Sequence, residues 1–251
     1  MNLFRQTVFQ SLAAAVIAGL LLTLIQQLGV TPLILEAEQY EIAEPVSIHS
    51  NQQSATAQHD HHGAAWAPDD GFERHLFTLI SNTMAAFGFA LLLIAAIRTG
   101  QIAGRWQRVS FLAGLSWGGA GFLVFFAAPS LGLPPEIPGM VAAELEARQV
   151  WWVFCASSTA VALAIIALAP LKWKTLGLLP LLLPHLVGAP QMEGPHFVHP
   201  DPAAVQALTA IHQQFIWATG ITNALYWLLL GALCCGLISR APLDEQLQGP
   251  A

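Results

Sequence analysis

The chain has 251 residues and a formal net charge of −6, with 55% hydrophobic and only 10% charged residues. Soluble globular proteins carry about 25% charged residues, so there is too little charge here to cover a water-facing surface. No polar stretch is long enough to bury a second core, which excludes a separate soluble enzyme domain.

The apolar residues fall in runs. A helix rises about 1.5 Å per residue and the hydrocarbon core of a bilayer is about 30 Å thick, so about 20 apolar residues span it. In lipid the backbone must satisfy its own hydrogen bonds, and such runs are helices. The sequence therefore predicts an all-α, polytopic membrane protein, a single domain over residues 1–251 with six transmembrane helices. The first, Val8–Leu28, follows Arg5 and lacks a small-x-small cleavage site, so it is expected as an uncleaved anchor. A polar loop, residues 29–74, comes next, and within it Leu33-Ile34-Leu35 is expected to re-enter or skim the interface. The second helix is expected over His75–Ile97, followed by a basic loop with Arg98, Arg105 and Arg108. The third covers Val109–Ala128, and a Pro-rich loop from Pro129 to Gly139 leads to the fourth, Val150–Ala169. The fifth, Thr175–Ala189, is short and interrupted by Pro180 and Pro184, each of which removes a backbone donor. The sixth is expected over Phe215–Ser239.

Basic residues set the orientation. With both termini cytoplasmic, seven of the nine Lys and Arg lie inside, and only Arg74 and Arg148 lie outside. Thirteen of the fifteen acids and all nine histidines then fall on or near the outer face. A negative, imidazole-rich face concentrates cations beside it.

Candidate ligands lie on that face. His59-Asp60-His61-His62 interleaves three imidazoles with a carboxylate, a composition suited to divalent transition metals. His196 and His199 stand in a His-x-x-His between prolines, and His212 is expected in the loop before the sixth helix. His185 sits in the Pro-broken fifth helix, an arrangement like the interrupted helices that line transporter sites; a histidine bonded to a carbonyl freed by proline is the plain alternative. Glu36 and Glu38, just past the first helix, offer oxygen ligands. Asn82 and Asn223 are mid-membrane amides that either line a polar path or bond one helix to another. Cys155, Cys234 and Cys235 lie within apolar runs and are read as packing residues. The chain has no Gly-x-x-x-x-Gly-Lys-Ser/Thr, no His-Glu-x-x-His and no Gly-x-Ser-x-Gly, and nothing in it points to nucleic acid.

Several stretches carry a family resemblance: Thr31-Pro32-Leu33-Ile34-Leu35-Glu36-Ala37-Glu38-Gln39-Tyr40-Glu41 with Gln26-Gln27 before it, Trp66-Ala67-Pro68-Asp69-Asp70-Gly71-Phe72-Glu73-Arg74, and Gly132-Leu133-Pro134-Pro135-Glu136-Ile137-Pro138-Gly139. Arg148-Gln149-Val150-Trp151-Trp152, Leu183-Pro184-His185-Leu186-Val187-Gly188-Ala189-Pro190, and Asn223 with Trp227 complete them. With these the chain resembles the CbtA family of bacterial cobalt transporter membrane subunits, nearly end to end. The resemblance implies cobalt uptake tied to cobalamin supply, in the bacterial inner membrane, beside a small His-bearing subunit, CbtB. It implies Co²⁺ (or Ni²⁺ or Zn²⁺) as transported substrate, with no permanent cofactor and no enzymatic activity. Partners expected are that subunit, the lipid bilayer and further copies of the chain. The competing expectations are a metal-binding scaffold that conducts nothing, and a membrane enzyme using a bound metal.

Overall fold

The computed structural model describes residues 2–41, 71–106 and 109–240. The described residues are helical apart from connecting loops and one isolated bridge between Met140 and Phe197. Helix α1 is Asn2–Gly29, and a short helix α2, Thr31–Glu38, follows it. α3 is Phe72–Ile102. α4, Phe111–Phe122, passes through a π turn, Leu123–Ala127, into α5, Ala128–Ser130. α6 is Leu145–Leu168. A 3₁₀ run, Leu171–Gly177, leads into α7, Leu178–Val187, and α8 is Pro202–Ser239. Among the described residues, five helices are long and apolar enough to cross a membrane: Leu3–Gly29, Phe72–Ile102, Phe111–Ser130, Leu145–Leu168 and Pro202–Ser239. The chain is a multi-pass membrane protein by that measure.

The expected elements are all helical, with several shifts of boundary. The last helix begins thirteen residues before Phe215, at Pro202, because Asp201 accepts the Ala203 N–H at 2.9 Å as N-cap and proline suits the first helical position. His212 is therefore a helix residue and not a loop residue. α3 runs on past Ile97, so Arg98 is not in a loop: it is buried within the helix, where its Nη1 donates to Gln101 Oε1 at 3.2 Å one turn on. The Leu33-Ile34-Leu35 stretch forms α2, which starts with proline in its first turn. The segment expected over 175–189 is split between 3₁₀ and α geometry, with Pro184 inside α7.

Two antiparallel pairs build the centre. Lipid tails are as apolar as leucine, so helices in a membrane associate through close backbone approach rather than through hydrophobic burial. α1 and α3 meet where Gly19 faces Thr83; a Cβ at Gly19 would lie 2.6 Å from Thr83 Oγ1. α4 and α8 meet where Gly114 and Gly118 face Gly231 and Trp227; a Cβ at Gly114 would lie 2.7 Å from Ala232 Cα. α8 also packs on α1 and α3, and the shared core holds Ala14, Ala18, Ile94, Ile97, Trp227, Leu230, Cys234 and Cys235. Cys155, Cys234 and Cys235 are free and buried, as packing residues. α6 and α7 form a second layer that reaches the centre through the π turn and α5.

One end of the bundle carries a cap. Val30, Ala37, Ile137, Phe197, Leu208, Ile211 and Phe215 form one cluster, which joins α2, the 131–144 loop, the 188–201 loop and the first half of α8. The Met140–Phe197 bridge and the Val141 N–H to His196 carbonyl bond, 2.8 Å, tie the two loops together. At the same end, Glu144 caps α6 by accepting the N–H groups of Ala147, at 2.7 Å, and Glu146, at 2.9 Å. The Ala147 bond first, then the Glu146 bond, holds its carboxyl below the usual glutamate range. A depressed acid stabilises the fold above its unfolded pKa, and the contribution is lost as pH falls through the folded value. Amide exchange at Glu146 and Ala147, corrected for intrinsic rates, is therefore expected to quicken as pH falls below the ordinary glutamate range. In Glu144→Ala exchange there should be fast at every pH; equal protection in both proteins would show that the cap contributes nothing.

Candidate metal-handling face

Among the described residues, the cap is where most of the expected ligands lie. His59, Asp60, His61 and His62 fall outside the described residues. Glu36 is exposed on α2. Glu38, two residues on, is forked onto Arg74 of α3, with Nη2 at 2.5 Å from Oε1 and Nη1 at 3.2 Å from Oε2. A two-pronged guanidinium–carboxylate pair is among the stronger charge-assisted arrangements, and it pins α2 over the head of α3. The second basic residue expected on this side, Arg148, pairs with another acid of the cap, Glu136, through Nη1 at 2.5 Å.

His212 is a strut. Its Nε2 lies 3.0 Å from the Pro135 carbonyl. A carbonyl only accepts, so this nitrogen donates and has no lone pair for a metal. The ring meets Phe197 edge-on at 6.0 Å, and together these contacts fasten α8 to both cap loops. His199 Nδ1 accepts the Asp201 N–H at 3.0 Å, next to the N-cap of α8. The same Nδ1 lies 3.3 Å from the Asp201 carbonyl oxygen. His196 is exposed, and its backbone carbonyl joins the two loops.

His185 sits half-buried in the last turn of α7, its ring edge-on to Trp151 of α6 at 6.0 Å. The Pro184 carbonyl beside it accepts two other donors. Trp151 Nε1 donates to it at 3.3 Å, and so does the Gly188 N–H at 3.0 Å. Trp151 thus staples the end of α7 to the start of α6, and Gly177 at the other end of the segment faces Ala162 and Ile166. The segment 171–187 runs antiparallel along α6. Among the described residues, no three His, Cys, Asp or Glu side chains come together as a metal-holding group.

The two amides behave differently. Asn82 Nδ2 donates across the α1–α3 contact to Gln26 Oε1 at 2.6 Å and Thr23 Oγ1 at 2.9 Å. Asn223 Nδ2 bonds within its own helix, to the Thr219 carbonyl at 3.0 Å. Gln26 and Thr23 were not among the candidates, although their spacing of three puts them on one face of α1, where an amide partner on a neighbouring helix finds both. Beside this network lies a cleft of about 420 Å³ between α1 and α3, lined by Gln26, Gln27, Thr31, Arg74, Ser81 and Asn82 among others. A second, of about 490 Å³, lies beside Glu136, Arg148 and Trp152. Thr219 Oγ1 and Tyr226 OH of α8 are buried without a hydrogen-bond partner among the described residues.

No curated protein and no solved structure matches the chain. A family model described as "Probable cobalt transporter subunit (CbtA)" matches residues 4–239. That span reaches from α1 to α8 and takes in both capping loops, so the chain belongs to the CbtA family.

Proposed function

We propose that this protein is the membrane subunit of a divalent transition-metal uptake system, with Co²⁺ as substrate, that captures the ion on its outer face and passes it into the helix bundle. The observation that carries the reading is the family match over residues 4–239 on a chain with five membrane-length helices. In this reading the segment 171–187 is the sixth crossing. Seven residues of 3₁₀ helix and ten of α-helix reach about 14 Å and 15 Å, about the thickness of the hydrocarbon core together. Six crossings put both termini in the cytoplasm of a bacterial inner membrane and the cap outside, which agrees with the bias of basic residues.

The capture step then belongs to the His59–His62 tract, with Glu36 and His196 as exposed donors on the cap. His185, at the mouth between α6 and α7, takes the ion next. Being a subunit, the protein works with other components, of which a small His-bearing membrane protein of the CbtB kind is the one we propose. Nitrogen and oxygen donors bind Ni²⁺ or Zn²⁺ at least as well as Co²⁺, so metal choice would rest on supply and on the partner.

A second reading has its own support. His199 and His212 spend ring nitrogens on the fold, and the described residues hold no three-ligand group. Both facts suit a scaffold that binds metal outside and conducts none. Radioactive cobalt uptake into vesicles holding the protein and its partner separates the two. If the chain conducts, His185→Ala is expected to lower initial uptake at scarce cobalt by about tenfold, the scale seen when a metal site loses a supporting group. Deleting residues 59–62 should raise the cobalt concentration needed for half-maximal uptake. Uptake untouched by His185→Ala but weakened by the deletion would favour the scaffold, and no uptake above empty vesicles would remove the transport reading.

A further inference from the structure

The cleft between α1 and α3 has a chemistry unlike that of a metal site. Its floor is the Asn82–Gln26 pair, its sides carry Gln27 and Ser81, and Arg74, forked onto Glu38, closes its cap-side edge. Its lining has no imidazole and no thiol. That is a poor set for a transition-metal ion. Among the described residues, the side chains of Gln27 and Ser81 make no hydrogen bond.

The opening is flanked by exposed apolar side chains. Ser81 stands on α3 between Phe77 and Met84, the latter 70% exposed, and Gln27 stands on α1 beside Leu24 and Leu28, the latter 76% exposed. These are apolar flanks of two membrane-length helices, so a polar notch has been cut into a lipid-facing wall at the level where the helices end. Polar side chains facing hydrocarbon are expensive unless they meet a polar group. At the level of the helix ends, a phospholipid headgroup lies within reach of such side chains.

We propose that this cleft holds the headgroup of a zwitterionic aminophospholipid, with the phosphate toward Gln27, Ser81 and Arg74 and the ammonium toward Glu38. Amide N–H, hydroxyl and guanidinium are all donors suited to phosphate oxygens. Glu38 is the acceptor for the amine, and a headgroup of opposite charges meets the fixed pair sign for sign. An anionic headgroup would bring uncompensated charge to an end already bearing Glu36, Glu38 and Glu73. Val30, Ile34 and Phe77, which also line the cleft, take the glycerol and the first acyl carbons.

The test uses the full chain in detergent and counts retained lipid by native mass spectrometry. The probes are phosphatidylethanolamine, phosphatidylglycerol and the water-soluble headgroup glycerophosphoethanolamine. Phosphatidylethanolamine is expected to bind about tenfold tighter than phosphatidylglycerol, a difference equal to one lost hydrogen bond to a charged group. The free headgroup should bind far more weakly than the lipid. In Gln27→Leu/Ser81→Leu, which puts apolar side chains where lipid already lies, the preference should vanish. Equal retention of the two lipids by the native chain would overturn the proposal without recourse to any variant. So would a double variant with the preference intact, a free headgroup that binds as well as the lipid, or release of the lipid by millimolar Co²⁺, which would make the cleft a cation vestibule.

Discussion

Gly231→Ala is expected to leave little folded protein, with a stability loss of at least about 3 kcal/mol, beyond the usual cost of overpacking. A methyl at Gly231 would press on the Gly114 carbonyl oxygen and the Gly118 amide nitrogen, and would lie 2.7 Å from Gly118 Cα. All three are backbone atoms of α4, so no side chain can swing aside, and the whole helix must back away. Gly114 and Gly118 meet α8 in the same manner from the other side. The consequence reaches past one pair of helices, because α8 also packs on α1 and α3. Gly119 and Gly236 are the matched controls: a Cβ at either meets nothing within 4 Å. Gly119→Ala and Gly236→Ala should therefore keep native yield, or gain slightly from the better helix former. The measurement is the monodisperse fraction and thermal midpoint in detergent. Equal midpoints for Gly231→Ala and Gly119→Ala would show that the α4–α8 contact is not as close as described.

Trp227→Ala is expected to cost about 3–5 kcal/mol, the range for removing a large aromatic from a packed core. Trp227 is 2% exposed. It stacks on Phe125 with ring centroids at 5.3 Å and planes 5° apart, and meets Phe89 at 4.8 Å. Phe125 belongs to the π turn and in turn faces Trp152 of α6 at 6.3 Å. The indole of Trp227 therefore links α8, α3 and the π turn directly and α6 through one more ring. Its loss should lower the thermal midpoint and also loosen the α6–α7 layer, so proteolysis in the 188–201 loop should speed up. Trp217, on the same helix but 68% exposed, is the control, and Trp217→Ala should change neither reading. A Trp227→Ala protein as stable as Trp217→Ala would mean that the aromatic stack holds nothing together.

Much of this architecture is legible in residue types alone. The five long helices follow from runs such as Leu20-Leu21-Leu22 and Leu91-Leu92-Leu93-Ile94, because lipid demands length and apolarity and little else. Helix ends are less legible. The first turns of α8 carry Gln206, Thr209 and His212 and read as loop. They are helical because Leu208, Ile211 and Phe215 bury themselves under the cap. Arg98 reads as a loop residue because a charge normally marks the end of a span, yet α3 continues and the guanidinium is met by Gln101.

The candidate site divides along a similar line. The chemistry of its members was visible: imidazoles, acids and two arginines on one side of the bundle. Their pairing was not, because which atoms meet depends on how α2, two loops and α8 fold over one another. That geometry gave Glu38 to Arg74, the His212 Nε2 proton to the Pro135 carbonyl and the Asn82 amide to Gln26 and Thr23. By itself, then, the order of residues determined that the chain lives in lipid, where its polar groups gather and to which family its motifs point. Only the tertiary structure decided which of those groups hold the fold together and which remain turned outward, since hydrogen bonds are short and directional while hydropathy is neither.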